Sequence, residues 1–316
     1  MAGEFDQLLQ RVHSLRSPAR VDTLTRVPGV DGAELPVVSV TLGSTAPEAR
    51  VLGLFGGVHG LERIGAETVL TWLEILAAHL SWDRTLQGLL EDVRVVAIPM
   101  VNPFGLARGT RSNARGVDLM RNAPVDARGP VPFLLGGHRL GPWLPWFRGE
   151  TARGLEPESV ALIDFVKEHV FAAPVALTLD VHSGFGRRDR LWYPYAKQRG
   201  GYPREPEALR FAALLDSTHP DNRYRVEPQS DSYTTHGDLW DHLFDLHGAE
   251  FGNRRLFMPW TLELGSWSWA IRSPRLPSPE LLFNPPTAHH RRRTVRKHYA
   301  LLDFFLRAVK SPGGWI

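Results

Sequence analysis

Three stretches of this 316-residue chain place metal-ligating or proton-transferring side chains directly after apolar runs. VLGLFGGVHGLE brings His59 and Glu62, three residues apart in a glycine-lined turn. VALTLDVHSG brings His182, and MPWTLELGS brings Glu263. Two imidazoles and one carboxylate are what a catalytic zinc takes, leaving a fourth position for water. Such a metal lowers the pKa of that water towards about 7 and polarises a carbonyl. A second carboxylate outside the ligand set can then act as general base. Asp180, two residues before His182, reads either as a strand-end acid or as the partner that orients a ligand imidazole. Each piece alone also fits a structural role, such as a polar helix start or a hydrogen-bonded strand-end histidine; their coincidence at three strand ends points to metal-assisted hydrolysis.

These side chains need a scaffold that brings distant strand ends together. Mostly continuous apolar runs predict strands over residues 36–42, 51–57, 93–101, 175–182 and 258–265, as in central strands covered on both faces. Helical periodicity predicts helices over 63–80, 157–170, 206–217, 238–246 and 289–309. Alternation of the two element types implies an α/β layer architecture, in which the carboxyl ends of the strands form the ligand crevice. The segments 102–155 and 183–235 are rich in Gly, Pro, Arg and Trp, and loops that long are usually functional. No linker divides the chain, so a single domain is expected.

Composition narrows the chemistry further. The chain has no cysteine, so any metal must use His, Asp or Glu. The net charge of +3 arises locally: HHRRRTVRKH (289–298) holds five Lys or Arg and no acid, and without those five the 37 basic residues no longer outnumber the 34 acidic ones. Val295, Tyr299, Leu302 and Leu306 follow helical spacing there, so the stretch reads as a docked helix with its arginines in solvent, and no nucleic-acid partner is expected. The first twenty residues carry charges throughout and no long apolar stretch, so the expectation is a cytoplasmic protein with no membrane partner.

Six motifs in one order, between about residues 36 and 266, resemble the zinc carboxypeptidase family, whose type member is among the standard examples of a His₂Glu zinc site. They are HGLE, the NPFGLARGTRSNARGVDLMRN segment, WFRGETARGLEPE, LDVHSG, YTTHGDLWD and LELGS. The resemblance implies a single three-layer α/β/α domain with a central mixed, mostly parallel sheet, spanning 36–316 after an N-terminal helical extension over 1–35. It implies one Zn²⁺ per chain on His59, Glu62 and His182, and Glu263 as general base. Arg111 looks like the arginine that polarises the scissile carbonyl, with Arg108 and Arg115 as competitors. Arg121 looks like the arginine that binds a terminal carboxylate, and Tyr233 like the tyrosine that closes over substrate.

The departures bear on substrate. Where the family has an Asn-Arg pair, this chain has Met120-Arg121, and a thioether donates no hydrogen bond. Asn122 is the expected compensating group. Trp240 and Asp241 fall at the pocket for the substrate side chain, and GPVPFLLGGHRLGPWLPWFRG reads as a packed loop at the cleft rim. His138, His236, His242 and His247 match no ligand pattern and read as structural. The implied activity is a zinc metallopeptidase of carboxypeptidase type acting on a peptide. A deacylase or amidohydrolase acting on a small N-acyl amino acid is the alternative, and a non-catalytic binding domain the third reading.

Overall fold

The computed structural model describes residues 2–267, 269 and 279–316. Eight strands form one mixed sheet: β1 (Arg20–Pro28), β2 (Glu34–Gly43), β3 (Arg50–Gly56), β4 (Val93–Ile98), β5 (Val175–Ser183), β6 (Arg190–Tyr193), β7 (Arg225–Pro228) and β8 (Leu256–Leu264). Their spatial order is β1-β2-β4-β3-β5-β8-β6-β7. The centre, β4-β3-β5-β8, is parallel throughout, whereas β2 on β4 and β6 on β8 run antiparallel. Every residue of β5 and β8 is buried, which requires cover on both faces and explains their unbroken hydrophobicity.

Helices supply that cover. The helix α2 (Arg63–His79) packs on β3, β5 and the C-terminal helix Ala288–Lys310, which also crosses β3 and β5. The helix α5 (Pro157–His169) packs on β1 and on α8 (Leu239–Phe251), and α8 packs on β8. On the C-terminal helix, Leu302 and Leu306 are fully buried while Arg292, Arg293 and Arg296 face solvent, as its apolar spacing predicts.

The five expected strands are present as β2, β3, β4, β5 and β8, and the five expected helices as α2, α5, α6 (Glu205–Thr218), α8 and the C-terminal helix. Residues 1–35 are less purely helical than expected. Helix α1 (Ala2–Ser14) is followed by β1, an edge strand on β2 with one buried residue, whose sequence carries little apolar signal. The four-residue strands β6 and β7 lie inside the segment 183–235, where neighbouring strands rather than local pattern define them.

One close approach seats the turn before α2 on the helix Pro103–Arg108, and another seats the first turn of α2 on β5. A Cβ on Gly60 would stand 1.9 Å from the Gly105 carbonyl carbon, and one on Gly65 would stand 2.2 Å from the Val181 oxygen. Gly65 thus lets α2 lie against β5 one residue before His182. Alanine at Gly65 gains up to about 1 kcal/mol in helix propensity. We expect the backbone clash to outweigh it, for a net loss of about 1–3 kcal/mol in Gly65→Ala on denaturant unfolding; an equal or higher midpoint would show that α2 can shift freely.

Candidate metal centre and active cleft

β3, β5 and β8 are adjacent and parallel, so the turn after β3 and the last residues of β5 and β8 meet at one sheet edge. His182 and Glu263 are direct register partners across β5 and β8. Glu62 is the residue before α2, and its carboxylate makes no cap bond to the helix. It turns into the cluster, where the Ser183 N–H donates to Oε2 at 2.9 Å. His59, Glu62, His182 and Glu263 are all at least nine-tenths buried.

The imidazoles present their Nδ1 atoms to one another and to Glu62. His59 Nδ1 lies 2.8 Å from Glu62 Oε1, His182 Nδ1 3.1 Å from Glu62 Oε2, and the two Nδ1 atoms are 3.2 Å apart. Behind them, Asp118 Oδ1 lies 3.0 Å from His59 Nε2 and Asp180 Oδ2 lies 2.8 Å from His182 Nε2. A carboxylate accepts only, and each ring has one behind Nε2 and Glu62 before Nδ1, so with a metal in place the ring proton stays on Nε2 and Nδ1 offers its lone pair, whereas a metal-free ring can hold a proton towards Glu62 as well. Two imidazole nitrogens and a carboxylate facing one point need positive charge between them, from protons on the rings or from a metal cation. These three residues are the one group of His, Asp or Glu among the described residues that could hold a metal ion, their ligand atoms all within 4.8 Å of one another. The donor set fits a divalent cation of zinc type.

Charge in this buried space is strongly coupled. Burial alone would raise the Glu62 carboxyl, but His59 and His182 hold it below its ordinary range. Burial likewise works against Asp118, and Arg111 and His59 more than offset it. Burial lowers the His182 imidazole, whereas Asp180 and Glu62 raise it well above its usual value. For Glu263 the balance falls the other way: burial, then the neighbouring Glu62 charge, pushes it up to about 8 against the lowering by His182, the Phe185 N–H and Arg111. Its Oε1 accepts the Phe185 N–H at 2.9 Å.

Of the three candidate arginines only Arg111 reaches the cluster. Its Nε donates to Asp118 Oδ2 at 2.8 Å and its Nη1 lies 3.4 Å from Glu62 Oε1. Arg108 is exposed at the end of α4 (Pro103–Arg108), and Arg115 donates to Glu156. Arg121 is 2% exposed, and the hydrogen bonds its side chain makes to the backbone run to the Met120 and Leu135 carbonyls. No carboxylate among the described residues forms a salt bridge with it. Its guanidinium carbon stands 6.0 Å from the Tyr233 ring. Tyr233 is half-buried, and burial raises its phenol while Arg121 and Arg111 lower it.

Three expected substrate contacts are elsewhere. Asn122 ties two loops together, its Nδ2 donating to the Arg148 carbonyl at 3.0 Å and its Oδ1 accepting the Glu156 N–H at 2.7 Å, so its amide does not replace the one missing at Met120. Trp240 is in the core, edge-on to Phe55, and donates its indole N–H to Asp180 Oδ2 at 2.8 Å; it braces the site from behind. Asp241 accepts the Ala196 and Lys197 N–H groups and is consumed by that turn. In the same stretch Asp238 uses Oδ1 to cap α8, and its Oδ2 is buried without a hydrogen-bond partner. Asp118 and Phe185 are the functional residues that sequence reasoning did not single out. The Asp118 signal was present in GVDLMRN, where an acid precedes the clamp positions; a backbone N–H such as that of Phe185 leaves no sequence signal. The rim loop does reach the cleft, since Leu135 O meets Arg121 and Gly136 O accepts the His236 N–H, but Phe133, Leu140 and Trp143 on it are exposed.

Residues 9–265 match the family model described as zinc carboxypeptidase. Carboxypeptidase E of Caenorhabditis elegans is 30% identical over 171 residues, 49% of this chain and 35% of that protein. Carboxypeptidase D of Mus musculus is 24% identical over 220 residues, 65% of this chain and 14% of that protein. The matched segments thus span about a third or less of these relatives. Bovine thrombin-activatable fibrinolysis inhibitor, solved with tick carboxypeptidase inhibitor, shares the fold with a TM-score of 0.70 at 17% identity, covering 96% of both chains. Carboxypeptidase A from Helicoverpa armigera does so with a TM-score of 0.66 at 17% identity, over 96% of this chain and 71% of that one.

If Asp118 sets the His59 tautomer, Asp118→Asn will keep the fold, since the amide oxygen still accepts the Met120 N–H, but will weaken metal binding. We expect zinc affinity to fall about 10- to 100-fold in competition with a chromophoric chelator. Unchanged affinity would remove Asp118 from the site.

Proposed function

The chain belongs to the zinc carboxypeptidase family, and from that premise we propose that it hydrolyses the peptide bond next to a free C-terminal carboxylate. The observation that carries this reading is the pairing of two unlike features in one cleft: the Nδ1 atoms of His59 and His182 converging on Glu62, and a buried Arg121 that meets no carboxylate among the described residues. A buried guanidinium is costly unless it meets an anion, and a carboxylate meets it bidentately.

His59, Glu62 and His182 would hold zinc, which when bound acidifies a water and polarises the substrate carbonyl. Glu263 accepts the proton of the attacking water and hands it to the leaving nitrogen. A carboxyl of raised proton affinity, anchored by the Phe185 N–H, suits both transfers. Arg111 keeps N–H groups beyond its bond to Asp118 and supplies hydrogen bonds to the developing oxyanion. Tyr233 covers the substrate and, with its phenol raised by burial, stays a donor at neutral pH.

Met120 favours a second reading. Its thioether is buried where the resemblance places an amide, so Arg121 alone binds the carboxylate. A small N-acyl amino acid, held mainly by Arg121, would then be hydrolysed by the same groups.

A mixture of peptides with free and amidated C-termini, read by mass spectrometry, tests the carboxylate requirement that both readings share, and N-acetyl amino acids added to it separate them. Loss of a charge-assisted hydrogen bond is worth about 1.5–3 kcal/mol, so free acids should be cleaved roughly 10- to 100-fold faster, and Arg121→Ala should abolish the difference. Equal cleavage of both sets would rule out a carboxylate requirement.

Glu263→Gln should retain about one zinc per chain while losing roughly 10²- to 10⁴-fold in kcat. Loss of the metal together with activity would exchange the roles given to Glu62 and Glu263.

A further inference from the structure

A contiguous aromatic wall leads away from the base and is not needed to hold the metal ligands. Phe185, half-buried, gives its backbone N–H to Glu263 and packs its ring 5.4 Å from Tyr233, 5.5 Å from Trp192 and 6.2 Å from Trp267, centroid to centroid. Trp267 is 44% exposed, yet it is fixed at two points. Its backbone N–H donates to Gly186 O at 3.0 Å, and its indole N–H donates to Gly184 O at 2.8 Å. The guanidinium of Arg190 lies 5.0 Å from the Phe185 ring and backs it. An exposed tryptophan normally samples rotamers; one whose polar edge is already bonded presents a fixed apolar face with little ordering left to lose on binding.

The position of this wall gives it a direction. Tyr233 neighbours Arg121 on one side and the Phe185 ring on the other, and Phe185 touches Glu263 through its N–H and the exposed Trp267 through its ring. A substrate whose carboxylate is on Arg121 and whose scissile bond is beside Glu263 extends its acyl-side residue along Phe185 and Trp267. We propose that Trp267, braced by Phe185, is a specificity residue that stacks on a planar, aromatic residue immediately before the scissile bond. The proposal rests on the peptidase reading for its orientation.

The test compares N-acetyl-Phe-Xaa with N-acetyl-Ala-Xaa, where Xaa is a released residue that the enzyme accepts. One stacked ring is worth about tenfold, so wild type should favour the Phe substrate by about that factor in kcat/KM, through KM. Trp267→Ala should remove the preference while the Ala substrate changes less than twofold, and Trp267→Phe should retain most of it. Equal losses on both substrates in Trp267→Ala, or an unchanged preference, would overturn the proposal. A turnover-independent arm uses calorimetry on Glu263→Gln protein with zinc, with and without Trp267→Ala. Tighter binding of the Phe compound that is lost with Trp267 supports the wall even if neither compound is hydrolysed, an outcome that would count against the peptidase reading alone. Equal binding of the two compounds would sink the wall itself.

Discussion

The contacts of Asp118 and Asp180 with the Nε2 atoms of His59 and His182 are the constraint on which the rest of the site depends. They hold both rings with Nε2 turned to a carboxylate and Nδ1 turned to Glu62, the orientation in which two lone pairs can meet one metal ion. Each buried carboxylate then needs its own compensation, because an isolated buried charge is prohibitively costly. Asp118 receives it from Arg111 and the Met120 N–H, and Asp180 from the Trp240 indole. Residues that look like separate functional parts thus form one chain of mutual dependence. Trp240, sixty residues from Asp180, reaches His182 only through that carboxylate.

The same dependence explains what could be read from residue order and what could not. His59, Glu62, His182 and Glu263 were legible because their types are uncommon at the ends of apolar strands, and because a parallel sheet brings those ends to one edge. Strands β2, β3, β4, β5 and β8 were legible for the same reason: burial on both faces leaves a continuous apolar run. β1 and β6 were not, since their existence depends on a neighbour's hydrogen bonds rather than on their own pattern. Asn122, Trp240 and Asp241 were misplaced for a related reason. Their amide, indole and carboxylate could each have met substrate, and only the long-range partners Arg148, Glu156, Asp180 and Lys197 decide otherwise.

Rigidity is distributed unevenly around the cleft. The floor is built from strand ends in register and from a helix seated against β5 through Gly65, so the metal ligands have little freedom. The rim is made of loops: the segment touching Arg121 carries Leu134 and Trp146 at positive φ, a backbone region that costs non-glycine residues energy. That loop holds its shape through backbone bonds such as Gly137 N–H to Leu134 O and His138 N–H to Trp146 O. The proposed substrate contacts thus fall on loops that can vary, while the candidate metal ligands sit on fixed strand ends, which is the usual division between loops and scaffold.

Arg121 shows how the two halves are coupled. Its backbone oxygen accepts from Arg148, and a Cβ on Gly237 would collide with that same oxygen at 1.8 Å, so the main chain is clamped between the rim and the start of α8. Its guanidinium hydrogen-bonds backbone carbonyls, whose partial charges offset only part of the cost of burying a full cation. The remaining counter-charge must come from Asp118 and Asp238, at a distance, or from an anion in the cleft. With Met120 in place of an amide, that anion gains no neutral donor from the adjacent residue, and its binding relies more heavily on charge. If Arg121 binds a substrate carboxylate as proposed, such a site would discriminate carboxylates from their amides mainly by electrostatics, since a buried charge is little screened by salt. In the proposed clamp role, selectivity would thus be set by the depth at which Arg121 is held rather than by the number of its hydrogen bonds.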